Sequence, residues 1–300
     1  MEEAVSVRRE EVDEAATVAE NNARHQMSDK EAAYMRGRAE PVTSSVLISS
    51  SKYLNDPFYR ETYAQFALRK PGPDLPATYL IPNMVKALSS QRDDQEYYAL
   101  VQEERKTKPE FDAWLKRRRL SRYIPDEMRQ YGPGTLGAMI RDWIEQSGME
   151  INFMKAGMEP RNDLEYMAKR RVSHHDIEHM VTGFGPSALG EQALAVMNNV
   201  CTLAYFSPRL AKYINEATMF VTTTSLYRLH LHTTELMADS YDAWRQGIAA
   251  GQAIKKPLLL VDWEDYLDWQ VEDIAADLGF ERGPGDGWAY SNEVVGAGGY

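Results

Sequence analysis

The chain has one cysteine, Cys201, in 300 residues. It can close no disulfide within itself and cannot build a cysteine-rich zinc site, so any metal must rest on His, Asp and Glu. A single thiol also suits a reducing compartment. Basic residues are outnumbered, 34 Lys and Arg against 45 Asp and Glu, for a net charge of −11. That balance argues against a nucleic-acid partner. No run of about 18 apolar residues occurs, so no membrane-spanning helix is expected. The stretch MEEAVSVRREEVDEAATVAE lacks the apolar segment of a secretory signal and is too acidic for a transit peptide. A bacterial cytoplasmic protein fits best, with a mature organellar protein after leader removal as the alternative. Strand-like alternation is nearly missing, and no internal repeat is found.

What is present is helical. With 43% hydrophobic and 26% charged residues the chain can bury a sizeable core. The expected class is all-α: one multi-helix domain over 39–280, between a charged N-terminal arm at 1–38 and a flexible, Gly-rich C-terminal tail at 281–300. Asp56-Pro57 reads as a helix start, Asp as cap and Pro in the first turn. Further helices are expected over 77–90, 93–106, 139–153, 222–250 and 263–278. The most apolar part, 191–220, is divided at Ser207-Pro208. The basic cluster from Lys116 to Arg122 reads as a solvated helix face, with a phosphate or headgroup contact as the functional alternative. Gly132-Pro133-Gly134 is not followed by Lys-Ser/Thr, so it is not a nucleotide-phosphate loop.

Three of the six histidines fall between residues 174 and 179. On a helix, His175 and His179 sit one above the other, with Asp176 at the edge of their face. Gly183, Gly185 and Pro186 then break the helix. A second helix restarting near Ser187 would bring Glu191 back, eleven residues after His179. Two imidazoles and two carboxylates could thus converge on a divalent ion such as Zn²⁺. The plain alternative is a packed or solvated pair of histidines. Arg170 and Arg171 read as solvated or paired with carboxylates. Glu178 reads as a solvated helix residue. His230 and His232 are about 200° apart on a helix, so at most one can support the metal.

Three stretches together resemble the coenzyme Q biosynthesis protein 4 family of ubiquinone biosynthesis. They are HDIEH with Glu191 eleven residues on, GPGTLGAMIRDWI at 132–144, and AWRQGIAAGQAIKKPLLLVDWEDYL at 243–267. The family usually has an aromatic residue where this chain has Glu178. The resemblance implies metal binding through His175, Asp176, His179 and Glu191, which would also be the catalytic residues. It implies a pocket for a prenylated aromatic lipid and peripheral association with a membrane surface, the bacterial inner membrane or the organellar matrix side. Other ubiquinone biosynthesis proteins are the implied partners, and a homodimer is compatible with the family. The implied reaction is oxidative decarboxylation of a polyprenylated 4-hydroxybenzoate-type precursor, the C1 carboxyl giving way to a hydroxyl. A non-catalytic prenyl-lipid-binding scaffold is the alternative. A phosphohydrolase of the HD type would need an upstream ligand histidine, and His25 in the charged arm is the sole candidate.

Overall fold

The computed structural model describes residues 50–70, 77–151 and 155–296. The chain divides into Met1–Ser51 and Lys52–Tyr300. The expected arm at 1–38 lies outside the described residues. Among the described residues the fold is all-α, with two isolated bridges, Thr135 to Gln270 and Phe184 to Gly285, and no named strand.

Fourteen α-helices follow one another among the described residues: α1 (Lys52–Asn55), α2 (Pro57–Leu68), α3 (Ile81–Gln91), α4 (Asp94–Thr107), α5 (Pro109–Arg117), α6 (Leu136–Ser147), α7 (Asp163–Ser173), α8 (His175–Thr182), α9 (Ala188–Tyr205), α10 (Pro208–Ile214), α11 (Glu216–His232), α12 (Met237–Ala253), α13 (Val271–Leu278) and α14 (Tyr290–Val295). Their starts follow side-chain chemistry. Asp56 accepts from the amides of Phe58 and Tyr59 with Pro57 in the first turn. Asn162 caps α7, and Ser187 caps α9. Each such cap satisfies an amide that the helix itself leaves open, worth about 1 kcal/mol.

The main core joins α6, α8, α9, α12 and α13 through Leu136, Ile140, Ile177, Val181, Leu194 and Ile274. Each of these side chains, once buried, contributes about 1.5–3 kcal/mol against the entropy of ordering it. The α9–α12 pair is the closest-packed. A Cβ on Gly247 would stand 2.3 Å from the Ala193 carbonyl oxygen, and one on Gly251 would stand 2.7 Å from that of Met197. A second cluster, with Phe111, Trp114, Tyr166 and Leu210, fills the space among α4, α5, α7 and α10. A third sets α2 and α3 against Phe220 of α11.

Several helix boundaries differ from the sequence reading. The helix expected over 222–250 is two, because the chain turns at Thr233 and passes through a 3-10 turn at Thr234–Leu236. The helix expected over 263–278 begins only at Val271; Trp263–Asp265 is a 3-10 turn whose tryptophan is fully buried. The helix expected to run to 153 stops at Gly148, which takes the left-handed conformation (φ 69°) that a glycine allows.

The expected flexible tail at 281–300 is instead packed as far as residue 296. Trp288 and Val295 are buried, the Ser291 hydroxyl accepts from the Leu189 amide, and Asn292 accepts from that of Ala188. Glycine content suggested a loose chain. The buried indole and these contacts with the start of α9 hold it. Residues 297–300 lie outside the described residues.

Candidate metal centre

The histidine segment is set by its two ends. At the start, His174 is left out of both α7 and α8, so the chain changes direction there and α8 begins at His175. At the end, Gly183 takes φ 68° and its amide bonds the His179 carbonyl, which closes α8. The turn then folds back hard onto the next helix. A Cβ on Gly190 would lie 1.8 Å from the Gly185 carbonyl oxygen, so no larger residue can stand there unless the turn moves. Ser187 caps α9 through the Gly190 amide at 3.1 Å. Glu191 follows in the first turn of α9, where the helix dipole favours a carboxylate.

This turn brings ligand atoms of His175, His179 and Glu191 within 4.8 Å of one another. Nδ1 of His179 is bonded to the Phe184 carbonyl. A carbonyl can only accept, so Nδ1 carries the proton and Nε2 presents its lone pair. That Nε2 lies 3.2 Å from Nε2 of His175 and 3.1 Å from Oε1 of Glu191. Oε2 of Glu191 lies 3.3 Å from Nε2 of His175. Lone pairs aimed at one another across such distances need a proton or a cation among them. The separations also match the roughly 3.3 Å edge of a tetrahedron whose corners stand about 2.05 Å from its centre, the bond length of zinc to nitrogen or oxygen. The donor set therefore fits a divalent metal.

Charge at the three positions is strongly coupled. Burial alone would disfavour protonated His175, but Glu191 outweighs it and holds the imidazole up to about 9. Its side chain keeps 41% of its surface exposed, so water offsets part of the burial cost and the upward direction rests on the carboxylate. Burial acts on Glu191 in the opposite sense, and the two imidazoles overcome it, keeping its carboxyl well below the usual range.

Asp176, expected as a fourth ligand, is not brought into this set. It follows His175 by one residue, about 100° round the helix, and its short side chain lies along the flank. It lines an open cleft of about 290 Å³ beside the triad. Burial raises its carboxyl pKa, and the neighbouring imidazoles offset only part of that rise. Its lining combines the apolar Met139, Trp143 and Met180 with the polar Asp176, His179 and Arg282.

Arg282 and the residues after it form a wall that the sequence reading assigned to the flexible tail. Its guanidinium donates to the carbonyls of Met180 and Val181, both at 3.0 Å, and so caps the end of α8. The Gly283 amide bonds the Thr182 carbonyl and the Gly285 amide bonds that of Gly183, each at 2.8 Å. The buried Trp288, stacked on Phe184, was the signal in the sequence.

Among the other charges Glu178 differs from expectation, while Arg170 and Arg171 meet the carboxylate pairing that is the second of their two readings. Glu178 is fully buried rather than solvated, and accepts from Arg171 at 3.2 Å and from Asn198 at 2.9 Å. Arg170 is fully buried and bonds both oxygens of Glu264, at 2.6 and 3.0 Å. His174 is buried 4.0 Å from Glu264, and burial together with Arg170 pushes its pKa down to about 3. His232 bonds the Leu68 carbonyl at 2.8 Å, and His230 stands exposed beside Tyr227; neither belongs to the ligand set. In the basic cluster, Arg117, Arg118 and Arg119 pair with Asp262, Asp163 and Asp265 at 2.6, 2.7 and 2.6 Å. In the Gly132–Gly137 turn the Thr135, Leu136 and Gly137 amides bond the carbonyls of Gly132, Trp269 and Leu267.

A family model described as coenzyme Q (ubiquinone) biosynthesis protein Coq4 matches residues 110–284. The mitochondrial ubiquinone biosynthesis protein COQ4 of Arthroderma otae is 26% identical over 161 residues, 52% of this chain and 54% of that protein. The protein of the same description from Clavispora lusitaniae is 25% identical over 162 residues, 53% of this chain and 46% of its own length. The chain thus spans about half the length of the curated relatives it matches. Among solved structures, a protein of Nostoc punctiforme PCC 73102 described as a ubiquinone biosynthesis protein superposes with a TM-score of 0.56 at 20% identity, over 76% of this chain and 99% of that one. That likeness is one of fold.

Proposed function

Since the chain belongs to the Coq4 family of coenzyme Q (ubiquinone) biosynthesis proteins, we propose that it binds Zn²⁺ or a similar divalent ion and removes the C1 carboxyl of a polyprenylated 4-hydroxybenzoate-type precursor as carbon dioxide, with water supplying the hydroxyl that takes its place and molecular oxygen from solution accepting the two electrons and two protons released, to give hydrogen peroxide. The observation that carries the reading is the meeting of three lone-pair donors, His175, His179 and Glu191, beside a cleft lined by both apolar and polar side chains. When bound, the metal supplies a Lewis acid that holds the substrate's oxygen atoms and spreads the negative charge left as the ring–carboxyl bond breaks.

The chain's own residues divide the remaining work. The Phe184 carbonyl keeps His179 in the tautomer that presents Nε2. Glu191 balances part of the charge of a divalent cation and is favoured in the first turn of α9. Met139, Trp143 and Met180 take the faces of an aromatic ring and exclude water from one side of it. Asp176, with its raised pKa, holds or returns a proton at the carboxyl that lines the cleft. It is our candidate for the substrate side of the site and for a fourth ligand once a metal draws the carboxylates in.

No described helix is long and apolar enough to cross a membrane. We place the protein peripherally on the membrane surface that carries its prenylated substrate, with other ubiquinone biosynthesis proteins as partners. The test is release of labelled carbon dioxide from a carboxyl-labelled, prenylated 4-hydroxybenzoate by the metal-loaded chain. Wild type should release it, and Glu191→Ala should lose both metal and release. Metal retained without release, together with rescue of a ubiquinone-deficient strain by Asp176→Ala, would replace catalysis by a prenyl-lipid-binding scaffold.

A further inference from the structure

We infer that Glu178, Arg171 and Asn198 form a positioning clamp that sets the spacing of the two histidines against Glu191, and through it the strength and geometry of metal binding. The inference rests on the metal reading above. Asn198 follows Glu191 by seven residues, two turns along α9, and so lies on the same face. Glu178 lies between His175 and His179 on α8. The helices α8 and α9 therefore meet at two places, the ligands at one and the clamp at the other. A single contact would leave α9 free to rotate about it; two contacts fix separation and rotation together.

The two contacts differ in kind. At the ligand end the groups are donors of lone pairs that repel one another until a cation or proton joins them. At the clamp end every group meets its complement. The Glu178 carboxylate accepts from Asn198 Nδ2 at 2.9 Å and from Arg171 Nη1 at 3.2 and 3.3 Å. Arg171 also donates to Asn198 Oδ1, and the Asn198 amide reaches the Leu194 carbonyl at 3.2 Å. Glu178 is fully buried and Asn198 is 2% exposed. Arg171 belongs to α7, so three helices are tied at one point. The close packing of α9 on α12 already limits its rotation, and directional bonds of this kind add the setting of α8 and α7 against it. The clamp thus holds the ligand atoms close before any ion arrives. None of its members touches the metal in this arrangement; they act through the helices that carry the ligands.

The test uses the full chain with Zn²⁺, competed against a chromophoric chelator, and the visible spectrum of the Co²⁺ form. Glu178→Gln and Asn198→Leu should lower affinity about 10–100-fold, the range for losing a group that orients a metal ligand. They should also shift the Co²⁺ bands while the helical circular dichroism stays as in wild type. Arg171→Lys keeps the charge and loses the planar fork, so it should lie between wild type and these variants; it carries the test if either of the others fails to fold. Variants that unfold more easily but bind Zn²⁺ within about twofold of wild type, with an unchanged Co²⁺ spectrum, would reduce the clamp to a stabilising contact and overturn the inference. Wild type that takes up no metal would overturn the metal reading and the clamp with it, and so is distinguishable from failure of the clamp alone.

Discussion

His174 stands between two clusters of charge that are built to opposite rules. On one side Arg170 is closed in by both oxygens of Glu264, by Asp262 at 3.3 Å and by the carbonyls of Arg119 and Val261; only its Nε lacks a partner. Burial would disfavour the Glu264 carboxylate, but Arg170 holds it down to about 2. On the other side His175, His179 and Glu191 face one another with more lone pairs than protons, at the edge of a cleft. The first cluster is satisfied by the chain itself and ties α7 to the 260s. The second is satisfied only by something added. The first joins residues 94 apart and the second joins residues of one short stretch, but it is completeness of partners that sets their chemistry apart.

The comparison can be broken in several ways, beginning with the largest effect. Arg170→Met should cost about 3–5 kcal/mol of unfolding free energy, because it strands the buried Glu264 carboxylate that Arg170 holds through both oxygens. Urea denaturation would read it, and a cost below about 1 kcal/mol would contradict the closed cluster. In the open cluster the main loss lies elsewhere. Glu191→Ala should cost the metal-free protein less than Arg170→Met does, because this pair is partly exposed, yet abolish the gain that Zn²⁺ gives. At a free concentration of about 100 times the Kd that gain is about 2.7 kcal/mol, seen as a rise in Tm. Gly190→Ala strikes the turn that joins the ligands and should cost about 1–3 kcal/mol by overpacking, with weaker metal binding.

The pH dependence should also separate the two states of the open cluster. In the metal-free protein His175 has a raised pKa, so its contribution to stability is complete below its unfolded value of about 6.5 and is lost as pH rises through about 9. Glu191 has a lowered pKa, and its contribution is lost as pH falls below about 4.5. Metal binding must displace the His175 proton. Zinc affinity should therefore increase up to tenfold per pH unit, about 1.4 kcal/mol, until pH reaches about 9 and then level off. A chelator titration at pH 6, 7 and 8 that showed no slope would mean that His175 is not a ligand. The smallest effect is expected from Ser187→Ala, which removes the α9 cap and should cost about 1 kcal/mol.

How much of this was legible in the sequence depends on how far each residue's partner lies. The return of Glu191 could be read locally, because Gly183, Pro186 and Ser187 are all punctuation within one short stretch. The α2 and α9 starts were legible for the same reason, each being a cap and its own first turn. The burial of Glu178 was not, nor was which carboxylate Arg170 would meet. A charged residue reads as exposed until its partners are known, and those partners, Asn198 and Glu264, sit on other elements. The 281–296 segment was misread because its glycines suggested a loose chain. A Cβ on Gly283 would stand 2.2 Å from Cδ1 of Phe184, a close approach that glycine permits. Asp176 shows the limit in the other direction: the motif names it, while the helix turns it towards the cleft.

The Arg282 hook has a consequence for assembly. Its guanidinium caps a carbonyl 101 residues earlier in the chain. At about 5–20 residues per second, the histidines emerge from a ribosome some 5–20 s before the segment that closes their helix. Through that interval α8 has its ligands and its Gly183 stop but neither the Arg282 contacts nor the wall beside Met180. A metal ion captured early would meet a site still able to rearrange, and the arrival of the Arg282 segment would then decide which geometry is kept.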